Sequence, residues 1–290
     1  MKFAVIGGDR RAVLLCSLLA EDGHRVRTYC LERAELSRDT PKAGCLQGCV
    51  YGADWVIVGI PAETGGVFNA PFAAQELKLS ELIGALWPGQ VLCGGKFSQE
   101  ASLSALHAGL AVADLMQRRD FTVGNAAITA EGAIEQLMKN SEKTLLGSHV
   151  LITGWGRIAS VLAPRLRALG AYVTVCARKA GDRAMAQAQG LGCCSFEEIA
   201  LLAEDVDFLV NTVPAEVLDR RILGGFRKDT VLLELASAPG GFDAETAAEL
   251  ELNTVSAPGL PGKYAPFSAA ELMRDTIYAI IREREDQDGR

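Results

Sequence analysis

The sequence lacks an excess of basic residues, since its formal net charge is −7 and its isoelectric point is near 5.2. This balance argues against a surface that binds nucleic acid. No apolar run approaches the roughly 18 residues of a membrane span. The apolar start is interrupted by Asp9 and Arg10 too early for a secretory signal. We therefore expect a cytoplasmic protein without nucleic-acid or membrane partners.

Histidine is also scarce, with three residues in the chain, and the eight cysteines are poorly arranged for metal binding. Cys45 and Cys49 are four positions apart and Cys193 and Cys194 are adjacent, but no paired C-x₂-C knuckles or neighbouring histidines complete a zinc site. We therefore expect no metal, and free thiols in a reducing cytoplasm. Four other cysteines lie in apolar patterns typical of a core: Cys16, Cys30, Cys93 and Cys176.

A short apolar run at residues 150–153 leads into the segment GWGRIA at 154–159. The run predicts a buried parallel strand, and the segment has the G-x-G-x-x-G/A spacing of a dinucleotide-binding turn. In this spacing Gly154 permits the tight turn, Gly156 lets the backbone approach a pyrophosphate, and Ala159 allows the next helix to pack closely on the sheet. The N-terminus of that helix would face the phosphate charge.

The context of this turn favours cofactor binding over a purely structural role. An amphipathic helix follows the turn, Gly170 ends that helix, and a second strand begins at Tyr172. The residues predicted to contact the cofactor at the turn are Gly154, Trp155, Gly156, Arg157 and Ile158.

The end of the second strand bears on the choice between NAD and NADP. NAD enzymes usually carry Asp or Glu about 20 residues past the first glycine, where it accepts from the ribose 2′-hydroxyl. Ala177, Arg178 and Lys179 occupy this place here, so two cations face a 2′-phosphate and no carboxylate repels it. We expect NADP as the cofactor, with NAD as the alternative if Arg178 and Lys179 are only solvated turn residues.

The first part of the chain predicts a further α/β domain. A strand at 3–6, the turn GGDRR, a helix and a strand at 25–30 form a βαβ unit. The turn lacks the dinucleotide spacing, but Arg10 and Arg11 beside a helix start suit a small anion, unless both are ordinary exposed residues. A strand at 90–93 is followed by GGKFS, which places Lys96 and Ser98 at the carboxyl edge of the sheet as candidate substrate contacts.

The predicted fold is α/β, with two Rossmann-like, doubly wound parallel-sheet domains joined by a long helix and a C-terminal helix that packs back. The predicted boundaries are 1–124 for a substrate domain, 125–147 for the connecting helix, 148–266 for the cofactor domain, and 267–290 for the last helix and tail. We expect Asn125, at the start of the connecting helix, to contact the substrate. Ser268 and Glu271 have the spacing of a capping box at the start of the last helix.

A late apolar strand at 207–211 is followed by three residues that would lie over the cofactor at the sheet edge: Thr212, Val213 and Pro214. The order of the domains looks like that of D-2-hydroxyacid dehydrogenases, which rely on a histidine late in the cofactor domain. The three histidines of this chain are His24, His107 and His149, and none follows the cofactor turn. The hydroxyacid hypothesis therefore fails at its catalytic residues.

A more specific resemblance is carried by IGGDR at 6–10, NTVP at 211–214, LASAPGG at 235–241, and APGLPG at 257–262 followed by Ala265 and Pro266. These segments resemble the A-subunit family of dipicolinate synthases over nearly the whole chain. The resemblance implies oxidation of dihydrodipicolinate to dipicolinate with a nicotinamide cofactor, for dipicolinic acid formation in spore-forming bacteria. It also implies a flavoprotein-like B subunit as a partner.

The implied substrate is a small dicarboxylate, which Arg10, Arg11, Lys96 or Lys263 could bind together with N–H groups of the Gly-rich loops. The base stays open between a carboxylate, Tyr264, water and the substrate itself. The missing base keeps a second hypothesis open, a nucleotide-binding regulatory or scaffold subunit whose partner performs the chemistry. A third is an NADP-dependent reductase of another small carboxylated imine. Homo-oligomers are compatible with each hypothesis.

Overall fold

The computed structural model describes residues 1–288 as two parallel sheets with flanking helices and a small antiparallel hairpin. The strands are β1 (Lys2–Ile6), β2 (Arg25–Tyr29), β3 (Trp55–Ile57), β4 (Glu63–Thr64), β5 (Val67–Phe68), β6 (Val91–Gly94), β7 (Ala111–Asp114), β8 (His149–Thr153), β9 (Tyr172–Cys176), β10 (Gly192–Cys194), β11 (Phe208–Asn211), β12 (Val231–Glu234) and β13 (Asn253–Ser256). The helices are α1 (Arg10–Glu21), α2 (Leu46–Val50), α3 (Leu79–Gly84), α4 (Gln99–His107), α5 (Arg119–Lys139), α6 (Arg157–Ala168), α7 (Ala180–Ala188), α8 (Ile199–Leu202), α9 (Arg220–Leu223), α10 (Ala244–Glu249), α11 (Leu260–Tyr264) and α12 (Pro266–Asp288).

The first sheet has the order β2-β1-β3-β6-β7, and its strands run parallel. Alternate residues of β1 lie on opposite faces, as the two-residue period of a strand requires. Phe3 and Val5 join the core formed with α1 and α12, whereas Ala4 and Ile6 join the core on the other face. Both faces are buried, which explains why β1 is a continuous apolar run.

The second sheet has the order β10-β9-β8-β11-β12-β13, also parallel throughout. Counted from β8, this is the strand order 3-2-1-4-5-6 of a dinucleotide-binding sheet, and the order reverses between β8 and β11. Val150 and Ile152 of β8 pack into one core and Leu151 into the other. The predicted α/β fold is therefore confirmed in both halves.

The chain forms two compact units, each with its own core. Unit 1 comprises residues 1–125 and 265–290, and unit 2 comprises residues 126–264. The C-terminal helix belongs to unit 1, because Ile277 and Ile281 of α12 share a core cluster with Leu15 and Leu19 of α1. The C-terminal helix thus packs back onto the first sheet, as predicted.

Several predicted element boundaries differ from the structure. The connecting helix runs over Arg119–Lys139 instead of 125–147, so it begins in unit 1 and continues in unit 2. The last helix begins at Pro266, whose fixed φ suits a first helical turn, so the predicted capping box at Ser268 is wrong. The last two residues of the predicted tail lie outside the described part of the chain.

The four cysteines assigned to apolar patterns are confirmed as core residues, since each is fully buried. All eight cysteines carry free thiols. No helix within residues 1–288 combines the length and apolar composition needed to cross a membrane.

Candidate functional site

The turn after β8 needs glycine at its first position. Gly154 has a φ of 90°, a left-handed conformation that disfavours a side chain. A Cβ atom there would lie 2.8 Å from Thr212 Oγ1 and 2.9 Å from Val213 Cγ2. The close approach of the β11 loop therefore explains this glycine independently of any ligand.

Gly156, in contrast to Gly154, has open space around it. Its φ of −92° is accessible to any residue, and a Cβ atom there would meet no atom within 4 Å. It is the N-cap of α6, and no side chain caps the helix there. The first N–H groups of α6 consequently face an open surface where an anion could bind.

This geometry fits the pyrophosphate of a dinucleotide. The turn lies at the carboxyl end of β8, next to β11, where the strand order reverses. Ala159 is fully buried and lets α6 pack on the sheet. Trp155 and Ile158 pack partly against the core, and Arg157 is exposed at the first helical position.

The residues predicted to select the cofactor lie at the carboxyl end of β9. Ala177 is buried, whereas Arg178 and Lys179 are exposed. Sequence reasoning missed Arg183 of α7, whose Nη1 donates to the carbonyl oxygens of Ala177 at 2.7 Å and Arg178 at 3.0 Å. Arg183 therefore holds in place the backbone segment that carries the exposed side chains of Arg178 and Lys179.

A pair of thiols lies beneath this turn, since Cys176 of β9 is in register with Cys194 of β10. Contact with Cys194 and burial raise the pKa of the Cys176 thiol. The contact thus favours the neutral form of the Cys176 thiol.

The loop after β11 is tied directly to the cofactor turn. The Thr212 hydroxyl donates to the Thr153 carbonyl oxygen at 2.7 Å. The Thr153 hydroxyl donates to Asn211 Oδ1 at 2.5 Å, and the Val213 N–H donates to the same oxygen at 3.2 Å. Thr212 and Val213 are thus brought beside Gly154, and Pro214, the next residue, is exposed.

A second residue that sequence reasoning missed is Glu234, at the end of β12. Its carboxylate accepts from Asn211 Nδ2 at 2.7 and 3.0 Å, from the Ala236 N–H at 2.8 Å and from the Gly241 N–H at 2.7 Å. The sequence feature that could have indicated it is one acidic residue at the end of an apolar strand.

In unit 1 another segment of the protein contacts the turn after β1, where a ligand phosphate would bind. The Gly8 N–H donates to the Asn69 carbonyl oxygen at 2.7 Å, and a Cβ on Gly7 would lie 2.8 Å from the same oxygen. The Asp9 carboxylate caps α1 by accepting from the Arg11 N–H at 3.0 Å. Both the backbone and the helix start therefore have partners that a phosphate would have to displace.

The two arginines of this turn have different surroundings. Arg10 is exposed, whereas Arg11 is 7% exposed. The Arg11 guanidinium pairs with Asp9 at 2.8 Å and also donates to the Ile60 carbonyl oxygen. The predicted substrate role of Arg11 is therefore corrected to a structural one.

Lys96 follows β6 in an uncommon backbone conformation, with a φ of 58°. Its N–H donates to Asp114 Oδ1 at 3.0 Å, which holds this conformation, and its side chain is exposed. Ser98 caps α4 by accepting from the Ala101 N–H and donates to Glu63 at 2.7 Å. Lys96 and Ser98 thus lie at the carboxyl edge of the first sheet, as expected.

The remaining predicted substrate residues lie on helices. Asn125 is half-buried in α5 and already takes part in interactions. Lys263 is exposed in the short helix α11. Neither residue lies at a strand end with Lys96 or Ser98.

Comparison with family models divides the chain into two parts. Residues 2–116 match the N-terminal domain of the dipicolinate synthase A subunit. Residues 113–237 match the NAD-binding domain of D-isomer-specific 2-hydroxyacid dehydrogenases. Among curated proteins, the chain is similar to the dipicolinate synthase A subunit of Bacillus subtilis (strain 168), with 28% identity over 293 residues, which cover 100% of this chain and 99% of that protein.

Solved structures give the same result. The dipicolinate synthase A subunit of Bacillus halodurans matches with a TM-score of 0.85 and 25% identity, over 96% of this chain and 97% of that chain. The corresponding dipicolinate synthase structure from Bacillus subtilis matches with a TM-score of 0.84 and 28% identity, over 99% of this chain and 97% of that chain.

The dehydrogenase match confirms the predicted nicotinamide-dinucleotide domain and the enzyme class, an NAD(P)-dependent oxidoreductase. It covers residues 113–237, which include β8 to β12 of the second sheet, and leaves the chemistry of the substrate side undefined. The late histidine of the hydroxyacid enzymes has no counterpart here, because His149 lies before the cofactor turn.

Proposed function

We propose that this chain belongs to the A-subunit family of dipicolinate synthases, to which it is similar over its whole length. We further propose that it oxidises dihydrodipicolinate to dipicolinate with NADP, or with NAD as the alternative cofactor. The observation that carries the proposal is the open surface at Gly156, at the N-terminus of α6 and beside the reversal of strand order.

A bound nicotinamide cofactor supplies a two-electron hydride acceptor. The backbone at Gly154, Gly156 and Arg157 would hold its pyrophosphate, and Trp155 and Ile158 would pack beside it. Arg178 and Lys179 would pair with a 2′-phosphate, since both are exposed on a backbone fixed by Arg183. Thr212, Val213 and Pro214 would line the other side of the turn.

The substrate carries two carboxylates, so it needs cations and N–H donors. Arg10 and Lys96 support this role, because both are exposed beside strands of the first sheet. Ser98, Asn125 and Lys263 are further candidates for polar contacts. Lys96 is the strongest of these residues, since its backbone is held in a conformation that a non-glycine residue rarely adopts.

The oxidation removes one hydride and one proton from the dihydropyridine ring. The hydride goes to the nicotinamide, and the proton goes to a base or to water. Since the product ring is aromatic, the reaction is favourable once the proton has left, and the main requirement is orientation. The candidates for the base are water, the substrate itself and a carboxylate or tyrosine of the protein.

The relationship to an A subunit implies a partner subunit. We infer that this partner is a flavoprotein-like B subunit, which either assists turnover or performs the chemistry while this chain serves as a nucleotide-binding scaffold. The absence of a histidine after Gly154 is the observation that keeps the scaffold function as a candidate.

The test is to mix the purified chain with dihydrodipicolinate and NADP or NAD, with and without the B subunit, and to follow the near-ultraviolet absorbance of the reduced cofactor. Reduction by the chain alone supports the dehydrogenase function directly. Reduction that needs the B subunit, and that is lost in Lys96→Ala, supports it within a complex. Cofactor binding without reduction in either mixture would refute it in favour of the scaffold.

A further inference from the structure

The carboxylate of Glu234 joins the end of β11 to the loop after β12 and reaches the end of β8 through Asn211. It accepts from Asn211 at the end of β11 and from two backbone N–H groups of the loop after β12, those of Ala236 and Gly241. Asn211 in turn accepts from the Thr153 hydroxyl at the end of β8. One carboxylate therefore links the edges of β8, β11 and β12.

This network is closely packed, so its geometry is sharply defined. Asn211 is fully buried, and a Cβ on Gly241 would lie within 2.5 Å of its side-chain amide. Asn211 Nδ2 also donates to the Val213 carbonyl oxygen at 2.9 Å, which sets the path of the loop beside the cofactor turn. A shift of Glu234 would be transmitted through Asn211 to Val213 and Thr153.

The bonding pattern argues for a positioning role and against a role as the base. Both carboxylate oxygens of Glu234 already accept from N–H groups: Oε1 from Asn211 and Ala236, and Oε2 from Asn211 and Gly241. To take a proton from substrate, the carboxylate would have to give up bonds that hold the two loops.

The location of the network defines which part of the cofactor it serves. A sheet of order 3-2-1-4-5-6 consists of two mononucleotide-binding halves that meet where the order reverses. The adenosine half belongs to β8, β9 and β10, where Arg178 and Lys179 lie, and the nicotinamide half belongs to β11, β12 and β13. Asn211 and Glu234 belong to the nicotinamide half.

We propose that Glu234 positions the nicotinamide half of the cofactor site, by holding the loops after β11 and β12 against the turn after β8. This inference rests on the proposed cofactor site and adds a residue that acts through Asn211 without itself reacting. It predicts that changing Glu234 lowers the affinity for ligands that contain the nicotinamide half and spares ligands that lack it.

The test is the variant Glu234→Gln, with affinities measured by calorimetry for NADP, NAD and ADP. A glutamine has one oxygen, so its amide group must face at least one N–H donor that the carboxylate now accepts from. We expect the affinity of the preferred dinucleotide to fall at least tenfold, whereas the affinity of ADP, which lacks the nicotinamide half, should change less than twofold. The variant Asn211→Ser should show the same selectivity if Glu234→Gln fails to fold.

The matched control is Asp207→Asn, at the opposite edge of the same sheet. The Asp207 carboxylate accepts from the His149 N–H at 2.9 Å and pairs with Lys143 at 2.8 Å, so it too links two segments. This variant should lower the thermal midpoint and leave the affinities for both probes unchanged. Equal losses for dinucleotide and ADP in Glu234→Gln, or no loss for either, would overturn the inference. Failure of the wild-type chain to bind any dinucleotide would instead refute the proposed function.

Discussion

Asp9 and Arg11, two residues apart, form an ion pair of 2.8 Å in which the arginine side chain is 8% exposed and the carboxylate also caps α1. The same guanidinium donates to the Ile60 carbonyl oxygen. One arginine therefore ties the turn after β1 to the chain that follows β3. Its neighbour Arg10 is exposed, so two consecutive arginines have separable roles.

The first prediction contrasts these two arginines. Arg11→Leu leaves the Asp9 carboxylate without its partner and should lower the free energy of unfolding by about 3 kcal/mol. The substrate KM of the folded fraction should not change. Arg10→Leu should leave stability unchanged within about 0.5 kcal/mol, as for an exposed residue, and should raise the KM for the dicarboxylate. Chemical denaturation and steady-state kinetics measure both quantities, and a reversed pattern would place Arg11 in the substrate site.

Lys96 allows a test in which stability and function change in opposite directions. Glycine tolerates a φ of 58° better than lysine does, so Lys96→Gly should stabilise the fold by about 1 kcal/mol. Loss of the ammonium group should raise the substrate KM about tenfold or more. Calorimetric unfolding and kinetics test this pair of effects. A stabilised variant with an unchanged KM would exclude Lys96 from substrate binding.

Cofactor preference should depend on the two exposed cations after β9. The double variant Arg178→Ala and Lys179→Ala removes the predicted partners of a 2′-phosphate, so NADP affinity should fall about tenfold or more while NAD affinity stays within about twofold. The loss should shrink as salt is added, because exposed charges are screened. Arg221→Ala, an exposed arginine in α9, is the control. Parallel losses for NADP and NAD would argue against 2′-phosphate recognition.

Stability on the acidic side should depend on Asp207. Burial works to raise the pKa of this carboxyl, but hydrogen bonds from Lys143 and the His149 N–H outweigh it and lower the pKa below its usual range. In acid the unfolded chain therefore binds a proton that the folded chain resists, so stability is present above about pH 4 and is lost as the pH falls further. Thermal unfolding at several pH values should show a shallower acid loss in Asp207→Asn, and an unchanged slope would contradict the account.

The features that sequence patterns predicted are those set by local chemistry. The turn at Gly154 and Gly156 follows an apolar strand, and its spacing reflects contacts within one strand–turn–helix segment. Buried parallel strands are likewise visible as apolar runs. This is why the second sheet and its cofactor turn could be predicted in detail.

The features that escaped prediction depend on partners distant in sequence. Asn69, which covers the Gly7-Gly8 turn, belongs to a loop with weak local pattern, and its contact becomes visible only in three dimensions. Glu234 and Arg183 form hydrogen bonds with backbone groups, and no sequence motif indicates these bonds. The start of the last helix was missed because Pro266 begins it two residues before the predicted cap.

The measurement that tests the account most directly is the affinity of Gly156→Asp for NADP and NAD, compared with wild type and Gly156→Ala. The site has room for a side chain and a φ of −92°, and aspartate is a good N-cap, so this variant should be at least as stable as wild type. Its carboxylate would stand where the pyrophosphate binds, so dinucleotide affinity should fall by at least a hundredfold. A stable variant that binds both dinucleotides as tightly as wild type would contradict a cofactor site at this turn.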